Sequence, residues 1–200
     1  MKLFLLNGCP FAHRATIVLQ EKGLPFEPNF FERGKRPKEL EAVSPYAKSP
    51  TLFDGEAVVW DASIVIEYLE DRYPERPLMP ASAAERAEVR MLASRVSPEL
   101  MSKAGVVAME LFYKPPPPDE AKIETAIREF MAALPAWNER LAGRSFLMGE
   151  ALSLADVTLY TLFPGIKAQR GVEVPKELPH LRGWVERMDS RPTTPLLRPS

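Results

Sequence analysis

The chain has a single cysteine, Cys9, and two histidines, His13 and His180. One thiol cannot close an intrachain disulfide, so a disulfide scaffold is excluded and a reducing compartment is expected. No His, Cys, Asp and Glu residues cluster at metal-ligand spacing, so no metal is expected. No apolar run approaches the roughly 20 residues that cross a bilayer. The N-terminus lacks the charged, apolar and cleavage-site segments of a secretory signal. The expectation is a cytoplasmic protein with no membrane partner. Gly-rich phosphate loops and internal repeats are also missing. Basic and acidic residues nearly cancel, 26 against 27, and no basic run is interleaved with aromatics, which argues against nucleic acid as a partner.

What is present is a large apolar fraction, 46% of 200 residues, enough for one large or two small cores. Prolines are many, 21, and they mostly punctuate. The organising stretch is the first one. Leu3 to Leu6 is an apolar run, Asn7 and Gly8 break it, and Phe11, Ala15, Val18 and Leu19 then recur at helical spacing. This predicts a buried strand, a tight turn and an amphipathic helix. Pro10 suits the first helical position, where an N–H has no intrahelical partner. Cys9 therefore stands at a helix N-terminus, where free N–H groups and the helix dipole favour an anion. The expected consequence is a thiol pKa below the ordinary ~8.5. Ala12 occupies the place where a Cys-x-x-Cys pair has its second thiol. A mixed disulfide on Cys9 would need an external thiol to resolve it. The competing reading is a small buried hydrophobe.

Further along, Leu24 to Phe31 reads as a proline-containing edge strand, residues 37–43 as a short helix, and residues 44–48 as a turn. Thr51–Phe53 and Ala57–Trp60 read as a hairpin around Asp54 and Gly55, followed by a helix capped by Asp61. Residues 75–80 form a linker candidate. Beyond it the pattern is helical only: a long segment from Ala83 to about Tyr113 interrupted at Pro98, a helix from Asp119 to Leu141 bent at Pro135, a helix opened by a Ser153–Asp156 capping box, and a helix over Leu178–Met188. The residues from Arg191 onward read as an extended, loosely ordered tail.

Four of these stretches together resemble the cytosolic glutathione transferases, in order and spacing: residues 9–14, Ser49 to Leu52, Trp60 to Leu69, and Ser153 to Asp156. The resemblance implies an α/β plus all-α protein, with a thioredoxin-like glutathione-binding domain over residues 1–76 and an all-helical domain over 77–200. Residues 9–14 are most similar to the omega class, whose members use a cysteine in glutathione-dependent thiol transfer and reduction. Residues 60–80 also resemble stringent starvation protein A, a relative that acts through RNA polymerase instead of glutathione chemistry. Conjugation of glutathione to a small electrophile is a further alternative.

Carried over residue by residue, the resemblance makes Cys9 the nucleophile and Phe11 a wall beside it. Arg36 falls roughly where omega members place a lysine for the glycyl carboxylate. Ser49 would pair through its backbone with the cysteinyl part of glutathione, its side chain being less important, and Pro50 would be cis. Asp61 would face the γ-glutamyl amine. The departure is Ala62, where the family usually has a Ser that binds the γ-glutamyl carboxylate through hydroxyl and N–H. Only the N–H remains, and Ser63 is a helical step of about 100° away. A homodimer binding glutathione and a small electrophile or disulfide is implied, with RNA polymerase as partner only under the alternative. His13 reads as a surface or interface residue, and His180 as a surface residue. Tyr46 reads as core or rim packing. Met101, Met109, Phe112 and Tyr113 read as core, with an electrophile pocket as the other possibility.

Overall fold

A computed structural model describes residues 1–44, 46 and 48–196. Pro45 and Ala47, in the expected turn, and residues 197–200 of the tail lie outside the described residues. The described chain divides into two compact units, Met1–Met79 together with the tail from Arg191, and Pro80–Ser190.

In the first unit, β1 (Lys2–Leu6), β2 (Glu27–Phe31), β3 (Thr51–Asp54) and β4 (Ala57–Trp60) form one sheet in the order β2-β1-β3-β4. β1 runs parallel to β2 and antiparallel to β3, and β3 pairs antiparallel with β4. Pro28 sits in β2, an edge strand, where a missing N–H costs no interior ladder bond. Side chains alternate across β1. Phe4 packs with Phe31 and with Leu40 of α2 (Lys38–Val43). Leu3 and Leu5 point to the other face and are fully buried. The helices α1 (Pro10–Glu21) and α3 (Ala62–Arg72) pack against each other.

α1 ends as its sequence dictates, with Lys22 as cap and Gly23 in the left-handed region at φ +68°. Lys22 itself is buried. Its ammonium pairs with Glu70 at 2.7 Å and donates to the carbonyls of Tyr73 and Arg76. Glu70 also accepts the N–H groups of Leu78 and Met79. The pair is thus satisfied on both sides, the condition under which a buried charge is tolerated.

The tail departs from its expectation of looseness. Arg191 makes a double hydrogen bond to Glu21 at 2.8 and 2.7 Å, and the Thr193 hydroxyl donates to the same carboxylate. The carbonyl of Thr194 accepts from His13 Nε2 at 2.6 Å. His13 is accordingly buried, not at the surface. A carbonyl can only accept, so Nε2 carries the hydrogen.

The second unit is helical: α4 (Ala83–Val96), a π-helical turn at Ser97–Met101, α5 (Ser102–Phe112), α6 (Glu120–Arg140), α7 (Leu154–Tyr160), α8 (Phe163–Arg170) and α9 (Pro179–Asp189). Pro98 falls in the π turn and has no N–H for the helical ladder. α6 runs unbroken through Pro135. The helix expected from Ala155 to about Phe163 is α7, and α8, not expected from the sequence, follows it with Pro164 in its first turn. Trp184 of α9 is fully buried and meets Tyr160 and Phe163 edge-on at 6.3 and 5.9 Å. Met109, Phe112 and Tyr113 are exposed along and just after α5 rather than core, and Met101 is half-buried.

Among the described residues no helix is long and apolar enough to cross a membrane, and no group of three or more His, Cys, Asp or Glu is placed to hold a metal ion.

Candidate functional site

Cys9 is the N-cap of α1, in extended backbone at φ −79°, with Pro10 following. Its N–H donates to the carbonyl of Leu6, and its carbonyl accepts from His13. The strand end and the helix start are thereby clamped on either side of one residue. The neutral thiol makes no capping hydrogen bond.

Burial pushes the Cys9 thiol above its ordinary value, and this outweighs everything that favours the thiolate. The opposing groups are the N–H groups of Ala12 and Phe11, the hydroxyl of Ser49 and the positive charge of Arg14. The expected low pKa is corrected here. A helix N-terminus lowers a thiol pKa only where the sulfur keeps its access to water, and at Cys9 the loss of hydration is the larger effect. As a residue, Cys9 still retains partial exposure.

Ser49 is held by its side chain. Its oxygen accepts the Leu6 N–H at 2.8 Å, which fastens the turn before Pro50 to the end of β1. A hydroxyl that accepts one hydrogen bond still has its own proton to offer, and the sulfur of Cys9 lies near enough to gain from it. The side chain thus has a structural role of its own, apart from any ligand. The Ser49–Pro50 peptide is cis.

Arg14 belongs to the same cluster, although residue type and spacing gave it no role. It is only 6% exposed. Burial lowers its pKa to about 10, while the neighbouring Cys9 and Asp61 pull the other way. Its guanidinium lies over the Phe11 ring, 5.1 Å from the centroid. A signal for Arg14 was present. Helical side chains lean toward the N-terminus, where a cation opposes the helix dipole. A buried arginine there requires anions nearby.

Asp61 caps α3 by accepting the Ser63 N–H at 3.0 Å. It is the one non-glycine at positive φ (+76°) among the described residues. That conformation costs roughly 1–3 kcal/mol. Its other oxygen meets Lys48 at 3.5 Å. The Lys48 ammonium also lies over the rings of Tyr46 and Trp60, which meet edge-on. Cys9, Arg14, Asp61 and Lys48 thus form a row of alternating charge whenever the thiol ionises. Ala62 opens α3 and is 3% exposed. Arg36 is exposed on the loop between β2 and α2. His180 is exposed, and its backbone N–H is taken by Asn138.

The chain matches the family models described as "Glutathione S-transferase, N-terminal domain" over residues 3–77 and "Glutathione S-transferase, C-terminal domain" over residues 100–192. It is 32% identical over 157 residues to a stringent starvation protein A homologue of Haemophilus ducreyi, covering 78% of this chain and 70% of that protein. It is 26% identical over 196 residues to glutathione S-transferase omega-2 of Mus musculus, covering 96% of this chain and 76% of that one. Among solved structures, a glutathione S-transferase from Rhodospirillum rubrum F11 superposes with a TM-score of 0.88 at 26% identity, covering 100% of this chain and 92% of its own.

Proposed function

Because this chain belongs to the glutathione S-transferase family, we propose that it is a glutathione-dependent thiol transferase or reductase with Cys9 as its nucleophile. The observation that carries the reading is the cluster around one sulfur: burial raises its pKa overall, and against that stand two backbone N–H groups, a hydroxyl and a buried guanidinium that each favour the ionised form. In the proposed reaction the Cys9 thiolate attacks the glutathionyl sulfur of a mixed disulfide. The Cys9–glutathione disulfide forms, and the substrate leaves as a thiolate that takes a proton. A second glutathione thiolate then attacks that disulfide. Oxidised glutathione leaves, and the Cys9 thiolate returns. The chain has no other cysteine to do the second step.

In this reading Phe11 walls the site, and Ser49 and Pro50 present the backbone that pairs with the cysteinyl part of glutathione. Asp61 and the N–H of Ala62 receive the γ-glutamyl end, and Arg36 meets the glycyl carboxylate. Conjugation to an electrophile is the weaker alternative, because it calls for a donor that activates the glutathione thiol, and Cys9 offers a competing thiol. A homodimer in a reducing compartment belongs to the same reading.

The similarity to stringent starvation protein A homologues supports a second reading, a regulator whose partner is RNA polymerase. Ala62 favours it, since a methyl group replaces the hydroxyl that would hold the γ-glutamyl carboxylate. Two measurements separate the readings. Retention on immobilised glutathione, with reduction of a mixed disulfide of glutathione that falls to background in Cys9→Ser, supports the transferase. No retention and no turnover, with copurification of RNA polymerase, supports the regulator. Turnover of a chloro-nitrobenzene that survives Cys9→Ser supports conjugation.

A further inference from the structure

We propose that residues Arg191–Leu196 form a strap that sets the size of the group Cys9 can react with, Leu196 being the specificity-determining residue. The strap is anchored at two points of α1. Arg191 and Thr193 hold Glu21 near the end of the helix, and Thr194 holds His13 one turn after Cys9. Between the anchors the strap folds on itself, the Thr194 hydroxyl donating to the Arg191 carbonyl at 2.9 Å. Thr194 is 2% exposed, so this is a packed segment.

Two residues further on, Leu196 reaches the recess beside the sulfur. That recess is bounded in part by Cys9, Gly8, His13, Phe30 and Leu196, and has a volume of about 10 Å³. This is about one water molecule. Every other wall comes from β1, β2 or α1 and the turn between them, and is fixed by the fold. Leu196 comes from the strap and is partly exposed. It is therefore the wall that can change in size without disturbing the sheet.

The inference rests on Cys9 being the reacting group of the proposed function, but not on glutathione being its thiol. The test accordingly needs no glutathione. Cys9 is the only thiol, so alkylation reports on it alone. Rates with a small reagent, iodoacetamide, and a bulky one, N-phenylmaleimide, are compared in the full chain and in Leu196→Ala and Leu196→Trp. Leu196→Ala is expected to raise the bulky-to-small ratio about three- to tenfold, at or below the range that methylene-sized changes produce in apolar pockets. Leu196→Trp is expected to lower it. Both changes are at a partly exposed position, so the fold is retained. Hydrogen exchange across residues 191–196 checks that the strap remains docked.

A ratio unchanged in both variants with the strap docked overturns the proposal, as does a ratio that moves the same way in both. If the ratio moves as expected while immobilised glutathione fails to retain the protein, the strap stands and the transferase reading falls. Retention without any change in ratio has the opposite meaning.

Discussion

Helix α1 starts at Cys9 and helix α7 starts at Ser153 with Asp156 in its first turn, and at both starts a group able to carry negative charge meets backbone N–H groups. Asp156 is wholly buried and accepts from four donors: the N–H of Leu147 at 2.8 Å, the N–H and hydroxyl of Ser153 at 3.0 and 2.6 Å, and the indole of Trp184 at 2.9 Å. Burial still raises its pKa above the ordinary carboxylate value. Cys9 shows the same direction for the same cause. The difference lies in what surrounds each group. The carboxylate meets only donors that the fold must satisfy anyway. Cys9 is a partly exposed residue, and its thiol faces a buried guanidinium that no cap requires. The same local device therefore serves stability in one unit and, in the reading proposed above, chemistry in the other.

The largest expected effect breaks that contrast directly. Asp156→Ala leaves the N–H of Leu147, the N–H of Ser153 and the indole of Trp184 without an acceptor. A lost cap costs about 1 kcal/mol, and each buried donor left unsatisfied adds about 1–3 kcal/mol. The expected loss is at least about 4 kcal/mol in urea unfolding, with activity falling only as folded protein is lost. Cys9→Ser is expected to do the reverse, leaving the urea midpoint within about 0.5 kcal/mol and taking thiol transfer to background. Full stability in Asp156→Ala would show that the contrast is misdrawn.

Most of this contrast is legible in sequence. Pro10 after Cys9 marks a helix start, and the Ser153–Asp156 spacing marks another, because both are local devices read over four residues. The sheet, the hairpin at Gly55 and the change to helices follow from periodicity. What sequence does not show is set by contacts between distant residues. The Leu147 and Trp184 bonds to Asp156 span 9 and 28 positions. The Ser49 hydroxyl meets Leu6 across 43 positions, and Thr194 meets His13 across 181. The direction of the Cys9 pKa is hidden from the sequence for the same reason, since helix position is local and burial is not.

The start of α3 sharpens the comparison. Asp61 and Ala62 open this helix with a capping carboxylate but no hydroxyl. A hydrogen bond to a charged group contributes about 1.5–3 kcal/mol, and 1.4 kcal/mol is about tenfold. Ala62→Ser is thus expected to tighten glutathione about ten- to a hundredfold by calorimetry. Tight binding by the unaltered chain, unchanged by the serine, would mean that another group already serves the γ-glutamyl carboxylate.

A smaller effect tests the electrostatics at Cys9. The pH dependence of iodoacetamide alkylation is expected to inflect above the ordinary thiol value, because burial dominates. Arg14→Met removes a facing positive charge, and the inflection is expected to rise further. An inflection below the ordinary value in the unaltered chain would restore the helix N-terminus as the dominant influence. A fall on Arg14→Met would contradict the placement of that charge beside the sulfur.

The smallest effect concerns the strap that borders Cys9. Burial alone would raise the pKa of Glu21, but the hydrogen bonds from Arg191 and Thr193 and the Arg191 charge more than offset it, and the carboxyl is held below its ordinary value. A depressed carboxylate pKa gives stability that is present above the unfolded-state value, about 4.3, and is lost as pH falls through the folded-state value. Glu21→Gln keeps a hydrogen-bonding side chain but removes the charge. It is expected to cost about 1 kcal/mol at pH 7, and the gap from the unaltered chain is expected to close at an acid pH below the folded-state value, where Glu21 itself is neutral. Urea midpoints of both proteins at the two pH values decide the point. A gap of the same size at both would show that the strap is held by shape and neutral hydrogen bonds, and that the Arg191–Glu21 charge pair adds nothing to it.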